Sequence, residues 1–350
     1  MPDLAENQSE PSPGVSPPRS ETANSDNPVQ AVPRARRRRL TILVAAFLVT
    51  SLPLFLVFVR PGLVRQETSR RIDKTARIFH GLKGDAWSLA FTPDGRFIAS
   101  PSGNSVELRN VQTGRLVRSF DGHTDPVMRL AISPDGRQLA STSMDKTVRL
   151  WDIETGETLQ TLSDHTDWVL AVDFSPDGTL LASASRDHSA KLWDLATGRV
   201  LHSLESSSGF VVDVVFSPNG EQIATAASFR PFQMGDKTVT LREPGEINLW
   251  DVRSGKSLRS LKGHDSAITG VNFGPGGRQL VSASRDKTAK LWNIDTGEQV
   301  REFTGHEDFV VDVAFSPNGR QLATASDDGT VRLWDTETAT ELLTINAHQN

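Results

Sequence analysis

A short motif ending in tryptophan returns along this chain at a nearly fixed interval, and that regularity limits the fold more than any other feature. "RLWD", "KLWD", "NLWD", "KLWN" and "RLWD" place Trp151, Trp193, Trp250, Trp292 and Trp334 at spacings of 42, 57, 42 and 42 residues, and a divergent "ELRN" puts Arg109 another 42 upstream. Turn signals keep step, with "TPDG" ending at Gly95, "SPDG" at Gly136 and Gly178, "SPNG" at Gly220 and Gly319, and "GPGG" at Gly277. A chain with this period repeats one supersecondary unit and buries its core between copies. Six copies fit between residues 75 and 350, ending near 110, 152, 194, 251, 293 and 335.

One unit, "VLAVDFSPDGTLLASASRDHSAKLWDLATGRVLHSL", reads as four short strands divided by Pro-Asp-Gly and Thr-Gly turns. A helical reading fails because no segment keeps a 3.6-residue apolar period long enough. Four-stranded units of about 42 residues have the length of propeller blades. Residues 75–350 resemble the WD-repeat family of β-propellers. The resemblance implies an all-β fold of six four-stranded blades, with strands a to d running outward from a central channel.

Ring closure has two readings. "ARIFHGL" (Ala76 to Leu82) or "ELLTINA" (Glu341 to Ala347) completes the sixth blade of a closed ring; otherwise the ring is an open seven-bladed one that a partner or second copy completes. His348, in register with His306 and His264, looks like the start of a further repeat.

Serine, aspartate and histidine lie close together in "SRDHSAKLWD", which are the residue types of a hydrolase triad. The set recurs, however: His165, Ser185, Asp187 and Trp193 match His123, Ser143, Asp145 and Trp151, then His264, Ser284, Asp286 and Trp292, then His306, Ser326, Asp328 and Trp334. An enzyme needs one assembled site, whereas a repeat fold needs one fastening per blade. The resemblance implies that each set forms a relay from the indole nitrogen to the turn aspartate. The first repeat lacks the tryptophan and the aspartate, and the fourth has Ser207 where the histidine is expected. No H-E-x-x-H, EF-hand loop or Gly-rich phosphate loop occurs, so no metal, no cofactor and no catalytic residue is expected. The other reading, a small-ligand, cation-binding or catalytic propeller, requires a unique titratable cluster on the innermost strands. Asp173, Asp213 and Asp312, read as equivalent positions on strand a, are the residues available for it.

What remains is a surface for a protein or peptide partner. The d-to-a and b-to-c connections share one rim, and just before strand a the repeats carry Asp85, Pro126, Trp168, Phe210, Ala267 and Phe309. The residue before each turn aspartate adds Met144, Arg186, Arg285 and Asp327. An insertion in the fourth repeat, Phe229 to Pro244, contributes Phe229, Phe232 and Met234 beside Phe210. Aromatics with arginines have the composition of binding hot spots, although packing between blades is the plainer use of the rings.

The first 39 residues, rich in Pro, Ser, Asn and Glu and ending in "RARRRR", read as a disordered tail. Leu40 to Val59 is twenty residues without a charge, and as a helix rising about 1.5 Å per residue it matches a hydrocarbon core of about 30 Å. We expect a membrane-spanning helix there and a linker over 60–74. Five arginines abut the helix on its N-terminal side, while the basic residues after it are diluted by Glu67 and Asp73, which favours a cytoplasmic tail and a propeller on the periplasmic or extracytoplasmic side. Elsewhere the net charge of −5 gives no nucleic-acid surface, and the absence of cysteine removes disulfides and thiolate chemistry.

Overall fold

The computed structural model describes residues 87–206, 209–228 and 244–346, together with the backbone of five short strands outside those spans. Six antiparallel four-stranded sheets follow one another along the chain, each built from four consecutive strands. Blade 1 comprises Ala90–Phe91, Phe97–Ser102, Ser105–Asn110 and Leu116–Phe120. Blade 2 comprises Val127–Ile132, Gln138–Ser143, Val148–Asp152 and Thr158–Leu162, and blade 3 Val169–Phe174, Leu180–Ser185, Ser189–Asp194 and Arg199–Glu205. In blade 4 the strands are Phe210–Phe216, Gln222–Ser228, Glu246–Asp251 and Ser257–Lys262. Blade 5 holds Ile268–Phe273, Gln279–Ser284, Ala289–Asn293 and Gln299–Phe303, and blade 6 Val310–Phe315, Gln321–Ser326, Thr330–Asp335 and Glu341–Asn346.

Of the two segments expected to complete the sixth blade, Glu341–Asn346 does so. Arg77–Phe79 instead pairs in parallel with Phe55–Val59, which pairs antiparallel with Val44–Ala46. Those two strands are the only part of Leu40–Val59 that is described, and they are extended rather than helical. The rest of the expected membrane segment, the tail, the linker, Asp85, Ser207, Phe229 and His348 lie outside the described residues. No helix among the described residues is long and apolar enough to cross a membrane.

The core lies between blades. The tryptophans of the repeat motif are buried, and three pack against the preceding blade: Trp151 on Leu108 and Phe120, Trp193 on Leu150 and Leu162, and Trp292 on Leu249 and Leu261. Burying such a ring is worth about 3 kcal/mol or more. In blade 1 the tryptophan position is Arg109, half-buried and paired with Glu107 at 2.6 Å.

Fourth strands hook onto the following blade at one recurring position. Arg118 donates to the carbonyl of Thr155 (2.7 Å), Gln160 to that of Leu195 (2.7 Å), Arg259 to that of Thr296 (2.8 Å) and Arg301 to that of Glu337 (2.9 Å), while His202 Nε2 meets the Arg253 carbonyl at 3.1 Å.

The relay exists, but with a different hydroxyl from the one expected. In blade 3 the Trp193 indole N–H donates to Ser183 Oγ at 2.8 Å, Ser183 meets His165 Nε2 at 2.7 Å, and His165 Nδ1 meets Asp187 at 2.7 Å. Ser141, Ser282 and Thr324 take the same place in blades 2, 5 and 6. Ser143, Ser185, Ser284 and Ser326 are therefore not relay members. They sit two residues later, at the strand end, where Ser185 Oγ donates to the Trp168 carbonyl (2.9 Å) and accepts from the Asp187 amide (3.1 Å), tying the turn instead. Strand alternation explains the difference: residues two apart share a face, but only the inner one lies across from the indole.

These partners fix a single proton order, with indole N–H to hydroxyl oxygen, hydroxyl proton to Nε2, and Nδ1–H to carboxylate. Burial pushes Asp187 upward, but the hydrogen bonds it accepts, first from His165 and then from Ser189 and the Thr166 amide, outweigh it and hold the carboxyl below the usual range. Asp328 ends at about 2 by the same balance, with Thr330 and His306 opposing burial. Among the described residues, blade 4 keeps of this relay only the Trp250 bond to Thr225 Oγ1, at 2.9 Å.

Candidate functional site

The rim expected from the sequence is assembled by backbone bonds within each blade. The amides of Met144, Arg186, Arg285 and Asp327 donate to the carbonyls of Pro126, Trp168, Ala267 and Phe309 at 2.9–3.0 Å. Every turn residue thus stands beside the residue that enters strand a, and the side chains divide into two groups.

At the seam of blades 3 and 4, the Arg186 guanidinium lies 4.2 Å from the Trp168 ring centroid and 5.0 Å from that of Phe210. The His188 ring meets Phe210 edge-on at 5.1 Å. His188 adopts φ 72°, a left-handed turn conformation, and is exposed. Arg186 Nε is buried without a hydrogen bond, and Asp167 stands 3.8 Å away. Two aromatic faces therefore hold a cation that also forms a long ion pair with the half-exposed Asp167.

At the seam of blades 5 and 6, Arg285 lies 5.6 Å from the exposed ring of Phe309. Burial and the neighbouring Asp308 push the Asp327 carboxyl upward against the pull of Arg285. Trp168, Phe210 and Phe309 are therefore not one patch, because Phe309 belongs to the second group. Met144 is half-buried at its own turn. Of the insertion, the backbone pairs as a hairpin with Phe232 opposite Val239 and Met234 opposite Lys237, and the side chains of both lie outside the described residues. Sequence reasoning puts His188 on the exposed turn after Asp187, outside the relay, as found, but does not count it among the rim residues. The signal was a histidine where the equivalent turns carry Lys146, Lys287 and Gly329.

A second group lines the channel. First strands of successive blades pack against one another and so form its wall. Three residues before the final phenylalanine or isoleucine of strand a, the six blades carry Ser88, Arg129, Ala171, Asp213, Gly270 and Asp312. Asp173 is two residues further along its strand, so the three aspartates are not equivalent. Arg129 of blade 2, Asp213 of blade 4 and Asp312 of blade 6 share this level of strand a, and against the cost of burial the charges of both aspartates favour the protonated guanidinium.

Asp213 accepts the Val271 amide of the next blade at 2.9 Å, and Asp312 accepts its neighbour Val313 at 2.8 Å. Asp173 accepts the Phe216 amide at 2.8 Å, and burial drives its carboxyl up to about 7. Among the described residues no group of three or more histidine or acidic side chains could hold a metal ion. A metal would need convergent carboxylates without a guanidinium facing them.

Comparison with known proteins agrees with the architecture. Curated relatives match over little more than one repeat. A eukaryotic translation initiation factor 3 subunit I from Culex quinquefasciatus is 39% identical over 57 residues, 16% of this chain and 17% of that protein. Lissencephaly-1 homolog 1 from Paramecium tetraurelia is 38% identical over 52 residues, 15% and 13% of the two chains. Nuclear distribution protein nudF 2 from Aspergillus clavatus is 50% identical over 44 residues, 13% and 10%. The chain thus covers less than a fifth of each of these relatives. The family model described as "WD domain, G-beta repeat" matches residues 114–152, 156–194, 198–241, 255–293 and 297–335, more than half of the sequence, and the chain belongs to the WD40 family.

Proposed function

We propose that this chain is a membrane-anchored scaffold that captures a protein or peptide partner on the propeller rim at the seam of blades 3 and 4. WD40 propellers are interaction scaffolds without catalysis of their own. The observation that carries the finer reading is Arg186 stacked between Trp168 and Phe210. Trp and Arg dominate binding hot spots, and a half-buried guanidinium held flat by two rings is preorganised, so little side-chain entropy is lost on contact. Arg285, Phe309 and Asp327 form a lesser second contact with mixed charge.

Anchoring rests on the uncharged run Leu40 to Val59. In a bilayer every backbone group must be satisfied within the segment, which selects a helix for a run of this length. The basic cluster before it puts the tail in the cytoplasm and the propeller outside.

Proximity labelling from the full chain in its native membranes tests both parts. Arg186→Ala combined with Trp168→Ala should remove the most enriched neighbours while the protein stays folded and membrane-bound; an unchanged set of neighbours refutes the rim. Recovery of the chain in the soluble fraction refutes the anchor. Sizing the detergent-solubilised chain at several concentrations decides whether the ring is self-contained or completed by a second copy.

A further inference from the structure

The channel group has a property that the rim reading leaves unused. Among the described residues the Arg129 guanidinium makes no hydrogen bond and no ion pair, although the charges of Asp213 and Asp312 act on it through the lumen. Arg129 is half-buried. At the same level of strand a, in blade 5, stands Gly270. A Cβ placed there would lie 3.5 Å from Asp312 Oδ1 and 3.6 Å from Asp213 Oδ2, so the two carboxylates converge over a position that carries no side chain. Each of these strands has a register shift just before the residue concerned, between Val211 and Asp213, Ile268 and Gly270, and Val310 and Asp312. The shift recurs before Ala171 in blade 3, so it belongs to the repeat and sets the level that strand a presents to the lumen.

We propose that the central channel binds a small zwitterion of the α-amino acid class, with its ammonium between Asp213 and Asp312 over Gly270 and its carboxylate on Arg129. The charges select this class. A bare cation meets the guanidinium, a bare anion meets two carboxylates, and a neutral molecule leaves buried and half-buried charges unpaired, which is costly away from bulk water. A zwitterion pairs both signs at once. Guanidinium with carboxylate forms a two-pronged hydrogen-bonded pair, and an ammonium has donors for both aspartates. The belt is single: the other three blades place Ser88, Ala171 and Arg129 at this level, so no second copy of the carboxylate pair exists on the described strands.

The test is calorimetric titration of the full chain with glycine, L-alanine and L-arginine, using acetate and methylammonium as separate controls. At least one of the amino acids should bind while neither control does. Gly270→Ala adds a methyl at ordinary contact distance, so the blade is retained but the ammonium position is filled, and affinity should fall by about tenfold or more. Arg129→Lys keeps the charge and loses the two-pronged geometry, and should also bind more weakly. Absence of binding by all three amino acids overturns the proposal, as does binding that is unchanged in both variants. Capture of a partner on the rim is a separate measurement and does not depend on this result.

Discussion

Ser183→Ala is the substitution that most directly tests how a blade is fastened. The Ser183 hydroxyl is fully buried, accepts the Trp193 indole N–H at 2.8 Å and meets His165 Nε2 at 2.7 Å. Alanine leaves both nitrogens inside the protein without a partner. An unsatisfied buried polar group costs about 1–3 kcal/mol, so the two together should cost about 3 kcal/mol, toward the low end of the sum because the groups are neutral. For a domain of this size that is a fall in Tm of roughly 6–12 °C.

Thr225→Val is the internal control, since among the described residues only Trp250 donates to that hydroxyl, and valine should cost about half as much. Thermal and urea unfolding of the purified chain, followed by tryptophan fluorescence, measure both. Adding Trp193→Phe removes one of the orphaned donors, so the double variant should be more stable than the sum of the singles by about 1 kcal/mol. If Ser183→Ala costs under about 0.5 kcal/mol, or no more than Thr225→Val, the relay is not what fastens the blade.

Asp173 predicts a pH effect of the opposite sign to that of the turn aspartates. Its folded carboxyl titrates near 7 against an ordinary 3.8, so its favourable contribution is present below about pH 4 and is lost as pH rises toward 7. Asp173→Asn should keep the Phe216 bond and flatten that decline, raising stability at pH 8 by roughly 2–4 kcal/mol; an unchanged slope between pH 4 and 7 refutes the assignment. Asp328, held near 2, acts the other way, stabilising above about pH 4 and failing in acid. Lys146 occupies a left-handed turn position at φ 71° where blade 6 has Gly329, so Lys146→Gly should stabilise by about 0.5 kcal/mol in urea unfolding, the relieved strain exceeding the added chain entropy. A loss of stability contradicts it.

The blade count and the strand order were legible because each is written several times, and repetition separates signal from accident. Three features of the sites were less accessible. The relay hydroxyl was misplaced by two residues because Ser183 and Ser185 both lie on the same strand face, and only the distance to the indole tells them apart. Phe309 was grouped with Trp168 because a repeat gives positions within a blade but not which seam a side chain leans across. Of the channel group, Asp213 and Asp312 were picked out but Asp173 was wrongly set beside them, and Arg129 and Gly270 were missed because the members differ in type from blade to blade; in a linear sequence an arginine, an aspartate and a glycine 42, 57 or 84 residues apart share nothing but register.

The hooks between blades also have a direction in time. In all five the side chain comes from the earlier blade and the carbonyl from the later one, 35 to 51 residues further along the chain. During synthesis, then, no blade can be latched until most of the next has left the ribosome, and each latch closes behind the growing end rather than ahead of it. The propeller is assembled like a row of buttons done up in one order, starting from the end nearest the apolar segment, and a stalled or truncated chain always leaves its last blade unlatched.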